Sequence, residues 1–308
     1  MNTTSRQNTD KFFLSYFNRS YPIDWPKEFG RKAPLIVEIG FGNGEYLVQS
    51  AQKNPDKDFV GIEINIHLIK KVLRRIKGTN VTNVRLLRLN AAVAFEYLFS
   101  PRSATQIYSL FPFPWPKKKH HRQRLFKNAF LKLVNNRLVQ DGTFMIVTDD
   151  KKYFTWILKQ NRATGLKAEK EIIPPKFNTR FERIWHEGGQ NHFFQILFKK
   201  ASHLRVPLKK EYPVEPILLK KFSPEKYAPK SITGPESIIF KKFIYDEKKK
   251  KGRQFIVIAE DNLTQRFSIF IERVRGGWRV ECNPTDRIIK TKLVKKSLKK
   301  IIRACQAI

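Results

Sequence analysis

Two hydrophobic periods alternate along the first 200 residues. Short apolar or alternating runs at 35–40, 58–64, 84–90, 107–111 and 143–149, and an aromatic-rich one at 192–199, predict strands. Between them, 45–53, 66–77, 122–140 and 153–164 repeat apolar residues three and four apart, the spacing of a buried helix face. Strands alternating with helices across short connections predict a parallel, doubly wound, Rossmann-like α/β sheet over residues 1–200. The pattern then breaks. Pro207, Pro213, Pro216, Pro224, Pro229 and Pro235 crowd one stretch, a density that no long helix or central strand tolerates, so a connector is expected at 201–235. From 236 to 308 the order differs: runs at 238–245, 254–260, 266–273 and 278–282 predict consecutive strands. Ile288, Ile289, Leu293, Leu298, Ile301, Ile302 and Cys305 then recur at helical spacing, with lysines between them. That is one amphipathic helix over a small antiparallel sheet, a C-terminal α+β module.

Charge narrows the choice of partner. The 308 residues carry 61 Lys+Arg against 27 Asp+Glu, a formal net charge of +34, densest in the last third. A surface so positive repels itself unless a polyanion is near, which points to nucleic acid before an anionic membrane. With 41% hydrophobic and 13% aromatic residues the chain can bury a sizeable core, which excludes a disordered protein. No apolar run approaches the roughly 20 residues of a membrane span, and the first twenty positions lack the apolar segment of a secretory signal. Cys282 and Cys305 are the only cysteines, too few for a disulfide framework or a Cys-rich zinc site. The expectation is a cytoplasmic protein of about two domains, with no metal, no membrane association and no obligatory protein partner.

The sharpest local signal is Glu38-Ile-Gly40-Phe-Gly42-Asn-Gly44, directly after a predicted strand and opening a helix. Glycines let the backbone turn sharply and approach a ligand, with helix amides facing it. A dinucleotide fingerprint would need glycine at 40, 42 and 45; position 45 is Glu. The pattern acidic-x-Gly-x-Gly-x-Gly is instead the one that binds S-adenosylmethionine (SAM). Glu63 ends the second strand, where a carboxylate accepts hydrogen bonds from ribose hydroxyls, and Asn90 at the end of the third is placed to meet adenine.

From Tyr97 to Gln140 there is no acidic residue, and nine basic ones occur. Within that stretch stands Phe111-Pro-Phe113-Pro-Trp115-Pro-Lys117-Lys-Lys-His-His121-Arg122-Gln-Arg124, at the carboxyl end of a strand. Prolines stiffen such a loop and aromatics offer stacking faces for a splayed-out base. Lys117 and Arg122 are placed to hold the flanking phosphates. His120 and His121 have no companion ligands, and read as polar surface rather than a metal site. Asp149 ends the fifth strand, and Thr179-Arg180-Phe181-Glu182 precedes the last one. Guanine presents two adjacent donors, N1–H and N2–H₂, for which a carboxylate is the natural partner, so these two features are expected to orient the base.

On these motifs, residues from about 21 to 200 resemble the bacterial tRNA (guanine-N7-)-methyltransferases, which modify guanine 46 in the tRNA variable loop. The matching stretches are Glu38 to Leu47, Gly61-Ile-Glu63-Ile-Asn65, Pro112 to His121, Thr148-Asp149, and Thr179-Arg-Phe-Glu182, in the family's order and near its spacings. The resemblance implies a seven-stranded SAM-dependent methyltransferase domain. It also implies that Glu38, Glu63 and Asn90 bind SAM, while Lys117, Asp149 and Thr179–Glu182 meet the substrate guanosine or shape its pocket. One departure stands out: between the two prolines, where the family usually has an acidic residue, this chain has Phe113. Asn90 replaces a common Asp. Guanine N7 already carries an in-plane lone pair, so its methylation needs alignment rather than proton abstraction. Asp149 or Glu182 is expected to supply electrostatic help, and Phe113 to stack on the base. The C-terminal module is similar to that of extended family members from thermophilic bacteria. Eight basic residues from Arg287 to Arg303, with no acidic one after Asp286, point its helix at the tRNA backbone.

Three rival readings fit the same residues. One is a non-catalytic tRNA-binding protein on a methyltransferase scaffold, for which Phe113 is the best argument. Another is a SAM-dependent RNA methyltransferase acting at a different base position. A nicotinamide enzyme is the most remote, given the missing third glycine.

Overall fold

The computed structural model describes residues 11–306, apart from positions 18 and 262. The chain divides into two compact units: Pro22–Leu208 with the residues up to Leu14, and Ser15–Tyr21 with the chain from Lys209 onward. In the first, β1 (Leu35–Ile39), β2 (Asp58–Glu63), β3 (Val84–Arg88), β4 (Ala104–Leu110), β5 (Leu138–Thr148), β6 (Leu166–Ile173) and β7 (Phe193–Lys200) form one sheet in the order β3-β2-β1-β4-β5-β7-β6. The strands β1 to β5 pair in parallel, whereas β7 runs antiparallel between β5 and β6. The all-apolar interior of β1, broken only by Glu38, reflects a strand covered on both faces.

The helices are α1 (Trp25–Phe29), α2 (Glu45–Lys53), α3 (Ile66–Lys77), α4 (Ala91–Tyr97), α5 (Asn128–Arg137), α6 (Lys151–Gln160) and α7 (Arg180–Glu187). Hydrophobic faces of α2 and α3 close one side of the sheet through Leu47, Val48, Ile69, Val72 and Ile76, all buried. Several elements differ from the sequence expectation, among them the helices α1 and α7, which it lacks. The predicted helix at 122–140 is shorter: a 3-10 turn at Lys118–Gln123 precedes it, and Leu138 already pairs with Ala104 as the start of β5. The edge strand β6 reads LKAEKEII, with only its two ends buried, so no apolar alternation announces it. The short helix α4 is also absent from the sequence expectation; its start is fixed by Asn90, whose side chain accepts from the Ala92 amide at 2.9 Å.

The second unit is a five-stranded sheet in the order β8-β12-β11-β10-β9, built from β8 (Ile217–Leu219), β9 (Ser237–Asp246), β10 (Lys251–Glu260), β11 (Leu263–Val274) and β12 (Gly277–Cys282), with α8 (Lys292–Gln306). The stretch expected as a loose connector at 201–235 is partly structural. Its β8 pairs with β12 at the sheet edge, where prolines on either side of a short strand are tolerated, and Leu219, Phe222 and Tyr227 are buried in the second core. The last helix begins at Lys292, not near Ile288. Before it, Ile289 lies in extended chain held by Gln265, which donates to the Ile289 carbonyl at 3.0 Å and accepts from its amide at 2.7 Å. No helix among the described residues is long and apolar enough to cross a membrane.

Candidate cofactor and base pocket at the sheet edge

Parallel strands bring their carboxyl ends to one edge, and the strand order reverses between β1 and β4, the crevice where such sheets bind ligands. Asn90, Glu63, the 40–44 loop, the 111–117 loop and Asp149 follow the ends of β3, β2, β1, β4 and β5 in that spatial order. Because β7 runs the other way, the segment before it, which carries Thr179–Glu182, returns to the same edge.

Gly40, Gly42 and Gly44 all have left-handed backbone, with φ of 71°, 55° and 66°. At Gly44 a Cβ would lie 2.3 Å from Val72 Cγ2, so glycine there lets α2 and α3 pack; at Gly40 and Gly42 a Cβ would meet nothing within 4 Å. The open space beside them is a small cavity lined by Glu38, the 40–46 loop, Leu68, Thr179, Arg180 and Phe181. Two motifs separated by more than a hundred residues in sequence therefore share one cavity, while Glu63, Asn90, Lys117, Arg122 and Asp149 lie outside its lining.

Glu63 is held rather than loose. Its Oε1 accepts from the Ile64 and Asn65 amides at 2.8 and 2.9 Å, and Oε2 faces the Gly42 amide at 3.4 Å. Glu38 is 3% exposed and accepts a hydrogen bond at Oε2 from the Tyr108 hydroxyl, 3.2 Å away on the neighbouring strand. Burial pushes the Glu38 carboxyl up to about 8; the Tyr108 hydrogen bond opposes that shift and the nearby Glu63 charge adds to it. Tyr108 packs edge-to-face on Tyr46, which packs in turn on Phe177. The two tyrosines are not among the expected site residues; the parallel register that sets Tyr108 opposite Glu38 is the signal that could have found the first of them.

The Pro/Trp loop begins at Phe111 and contains Trp115, both non-glycine residues in left-handed conformation. Such backbone persists where the surroundings hold it. Arg124, 6% exposed, does the holding. Its Nε donates to the Pro114 carbonyl at 2.9 Å and a terminal nitrogen to that of Trp115 at 3.4 Å, while the guanidinium lies over the Tyr153 and Trp156 rings of α6. Phe113 is 64% exposed and packs edge-to-face on Trp115 at 4.9 Å. Lys117 and Arg122 are exposed at either end of the 3-10 turn. Asp150 caps α6 through the Tyr153 amide, which leaves Asp149 as the half-buried carboxylate of the pair; burial raises its carboxyl, and the neighbouring Asp150 charge adds to that.

Glu182 takes up the pocket-shaping part of what is expected of residues 179–182. Its carboxylate is 2% exposed and turned inward: Oε1 accepts from the Lys176 and Phe177 amides at 2.8 and 3.1 Å, and Oε2 from the Asn178 amide. With both oxygens accepting from backbone donors, it holds the turn that leads into the cavity lining at Thr179, Arg180 and Phe181. Thr179 caps α7 through the Glu182 amide, and Arg183 joins Arg75 on Glu45, tying α7 to the start of α2.

The open cradle beside Gly40 and Gly42, with Glu38 in β1 and Glu63 at the end of β2, fits a ligand carrying a cation and a ribose. Comparison with known proteins agrees. The family model Methyltransf_4, which describes a methyltransferase, matches residues 32–195. The tRNA (guanine-N(7)-)-methyltransferase of Chlorobium phaeobacteroides is 49% identical over 170 residues, covering 55% of this chain and 83% of that protein. The enzyme of the same description from Thermotoga maritima is 37% identical over 182 residues, 58% of each chain. That from Aquifex aeolicus is 27% identical over 297 residues, 94% of this chain and 97% of its own, and so extends through the second unit. By the match of its catalytic half and the reach of these relatives, the chain belongs to the tRNA (guanine-N(7)-)-methyltransferase family.

Proposed function

We propose that this protein methylates N7 of guanine 46 in the variable loop of tRNA, with SAM as donor, in the cytoplasm. The observation that carries the reading is the cavity shared by the glycine loop and residues 179–181, which sets a cofactor cradle against the segment expected to frame guanine. Glu38 and the 40–44 loop would hold the amino-acid end of the cofactor, Glu63 the ribose and Asn90 the adenine. When bound, SAM supplies an electrophilic methyl group on a cationic sulfur. The chain's own work is alignment. Arg124 fixes the Pro/Trp loop, Phe113 and Trp115 present ring faces to the base, and residues 179–181 wall the pocket. Lys117 and Arg122 carry the flanking phosphates. Asp149, the half-buried carboxylate left once Glu182 is accounted for, offers charge to a guanine ring that becomes cationic on methylation.

Purified chain, tritiated SAM and an unmodified tRNA transcript suffice for the test. Label is expected in N7-methylguanosine after digestion, and a transcript with adenine at position 46 should take none. Label at another base would move the target. Measurable SAM and tRNA binding without any transfer would favour a non-catalytic binder, the outcome that the apolar Phe113 makes worth measuring.

The second unit is proposed to grip the tRNA backbone. On α8, Leu293, Val294, Leu298, Ile301 and Cys305 are buried, while Lys292, Lys296, Lys299 and Arg303 are exposed with no acidic residue on the helix. Changing these four to glutamine should weaken tRNA binding severalfold and reduce the slope of log affinity against log salt by about 0.9 for each phosphate that is no longer neutralised. SAM affinity should not change. An unaltered salt slope would mean that the basic face is only solvated.

A further inference from the structure

We infer that the outward face of α7 is a stacking platform for an unpaired RNA base beside the guanine that enters the pocket; this rests on the tRNA reading above. The helix is inverted relative to ordinary amphipathic packing. Its only buried residue is the charged Glu182, while Phe181, Ile184 and Trp185 are 50%, 43% and 40% exposed. At positions i, i+3 and i+4 they form one apolar stripe on one side of the helix. A helix normally turns such a stripe toward a core, and a contiguous exposed one marks a surface that something covers.

The stripe is also rigid and well placed. Glu182 anchors the turn before the helix, Thr179 caps it, Arg183 binds Glu45, and at the far end the Gln190 amide donates to the Trp185 carbonyl at 2.9 Å. The first residue of the stripe, Phe181, lines the cavity shared with the glycine loop, so the platform begins at the pocket mouth. An aromatic face continuous with a base pocket, flanked by exposed Lys176 and Arg180, matches a nucleobase and its phosphate. A second copy of this chain is the poorer match, because two molecules of net charge +34 repel each other.

The series W185F, W185L and W185A separates stacking from simple apolar filling. The tRNA KM is expected to rise about tenfold in W185L and W185A, on the order of one stacked base, and to stay near the original in W185F. The kcat and the SAM affinity should hold in all three, which also verifies folding. A tRNA KM unchanged in W185L overturns the inference while leaving the methylation reading intact. So does sedimentation in which the parent chain is a dimer that W185A dissolves, which would assign the stripe to a second copy. No transfer to tRNA by the parent chain removes the reading itself.

Discussion

Replacing Glu182 by alanine should cost about 3 kcal/mol and dismantle the wall of the pocket, because hydrogen bonds to a charged acceptor contribute about 1.5–3 kcal/mol each and three amides depend on this one side chain. The net figure stays below the sum of three bonds since Lys176 and Asn178 are exposed, so water can replace part of what their amides lose. The Phe177 amide is buried and has no such recourse. Loss of the 176–178 turn frees the start of α7, and with it the cavity lining at Thr179, Arg180 and Phe181. Amide hydrogen exchange should accelerate across 176–182, and SAM affinity should fall at least tenfold along with methyl transfer. Glutamine should be intermediate: it retains one acceptor oxygen but turns an NH₂ toward a backbone donor. If instead E182A keeps SAM affinity and exchange protection and loses only tRNA methylation, the carboxylate reads guanine after all.

The role of Glu182 shows where sequence reasoning stops short. Thr-x-x-Glu before a helix is the signature of a capping box, in which a carboxylate reaches back to backbone donors. That mundane chemistry is legible in residues 179–182, yet the pairing of guanine donors with a carboxylate draws the same residue into the base site. Here the side chain reaches further back than a simple cap, to three amides in the preceding turn. By contrast the strand ends are readable, since buried parallel strands are nearly continuous apolar runs, and the topology then places Gly40, Glu63, Asn90 and Asp149 at one edge. What escapes is the meeting of side chains from different elements. Nothing local in Arg124 says that it will clamp two carbonyls of a strained loop, and a lone Tyr108 in a strand does not announce a buried carboxyl beside it. Strand β6 escapes for a different reason: an edge strand that buries only its ends has no hydrophobic period to read.

Substituting Glu38 by glutamine should stabilise the ligand-free protein by an amount that grows as the pH rises from about 4.5 to about 8 and is constant above that. The folded chain holds this carboxyl at about 8 against an ordinary 4.5, first because it is buried, so between those values the native state carries a proton that the unfolded chain has released. Stability must then fall with rising pH, by about 1.4 kcal/mol per unit through that window, and level off above the folded value. Below pH 4.5 both states are protonated and no penalty applies. Glutamine is uncharged throughout and still accepts from Tyr108, so its own stability lacks this slope. The difference between the two proteins should be near zero at about pH 4 and on the order of 5 kcal/mol at about pH 9, measured as denaturant midpoints across the range. Parallel curves would mean that water reaches the carboxyl in the folded state. The same titration links to ligand binding. A cation entering the cavity favours the ionised carboxylate, so the parent chain should release a proton on binding SAM near neutral pH, detectable as a buffer-dependent binding enthalpy, and E38Q should not. Glu38 would thus hold its charge in reserve until the cofactor arrives, which explains an acidic residue in the middle of an otherwise apolar strand.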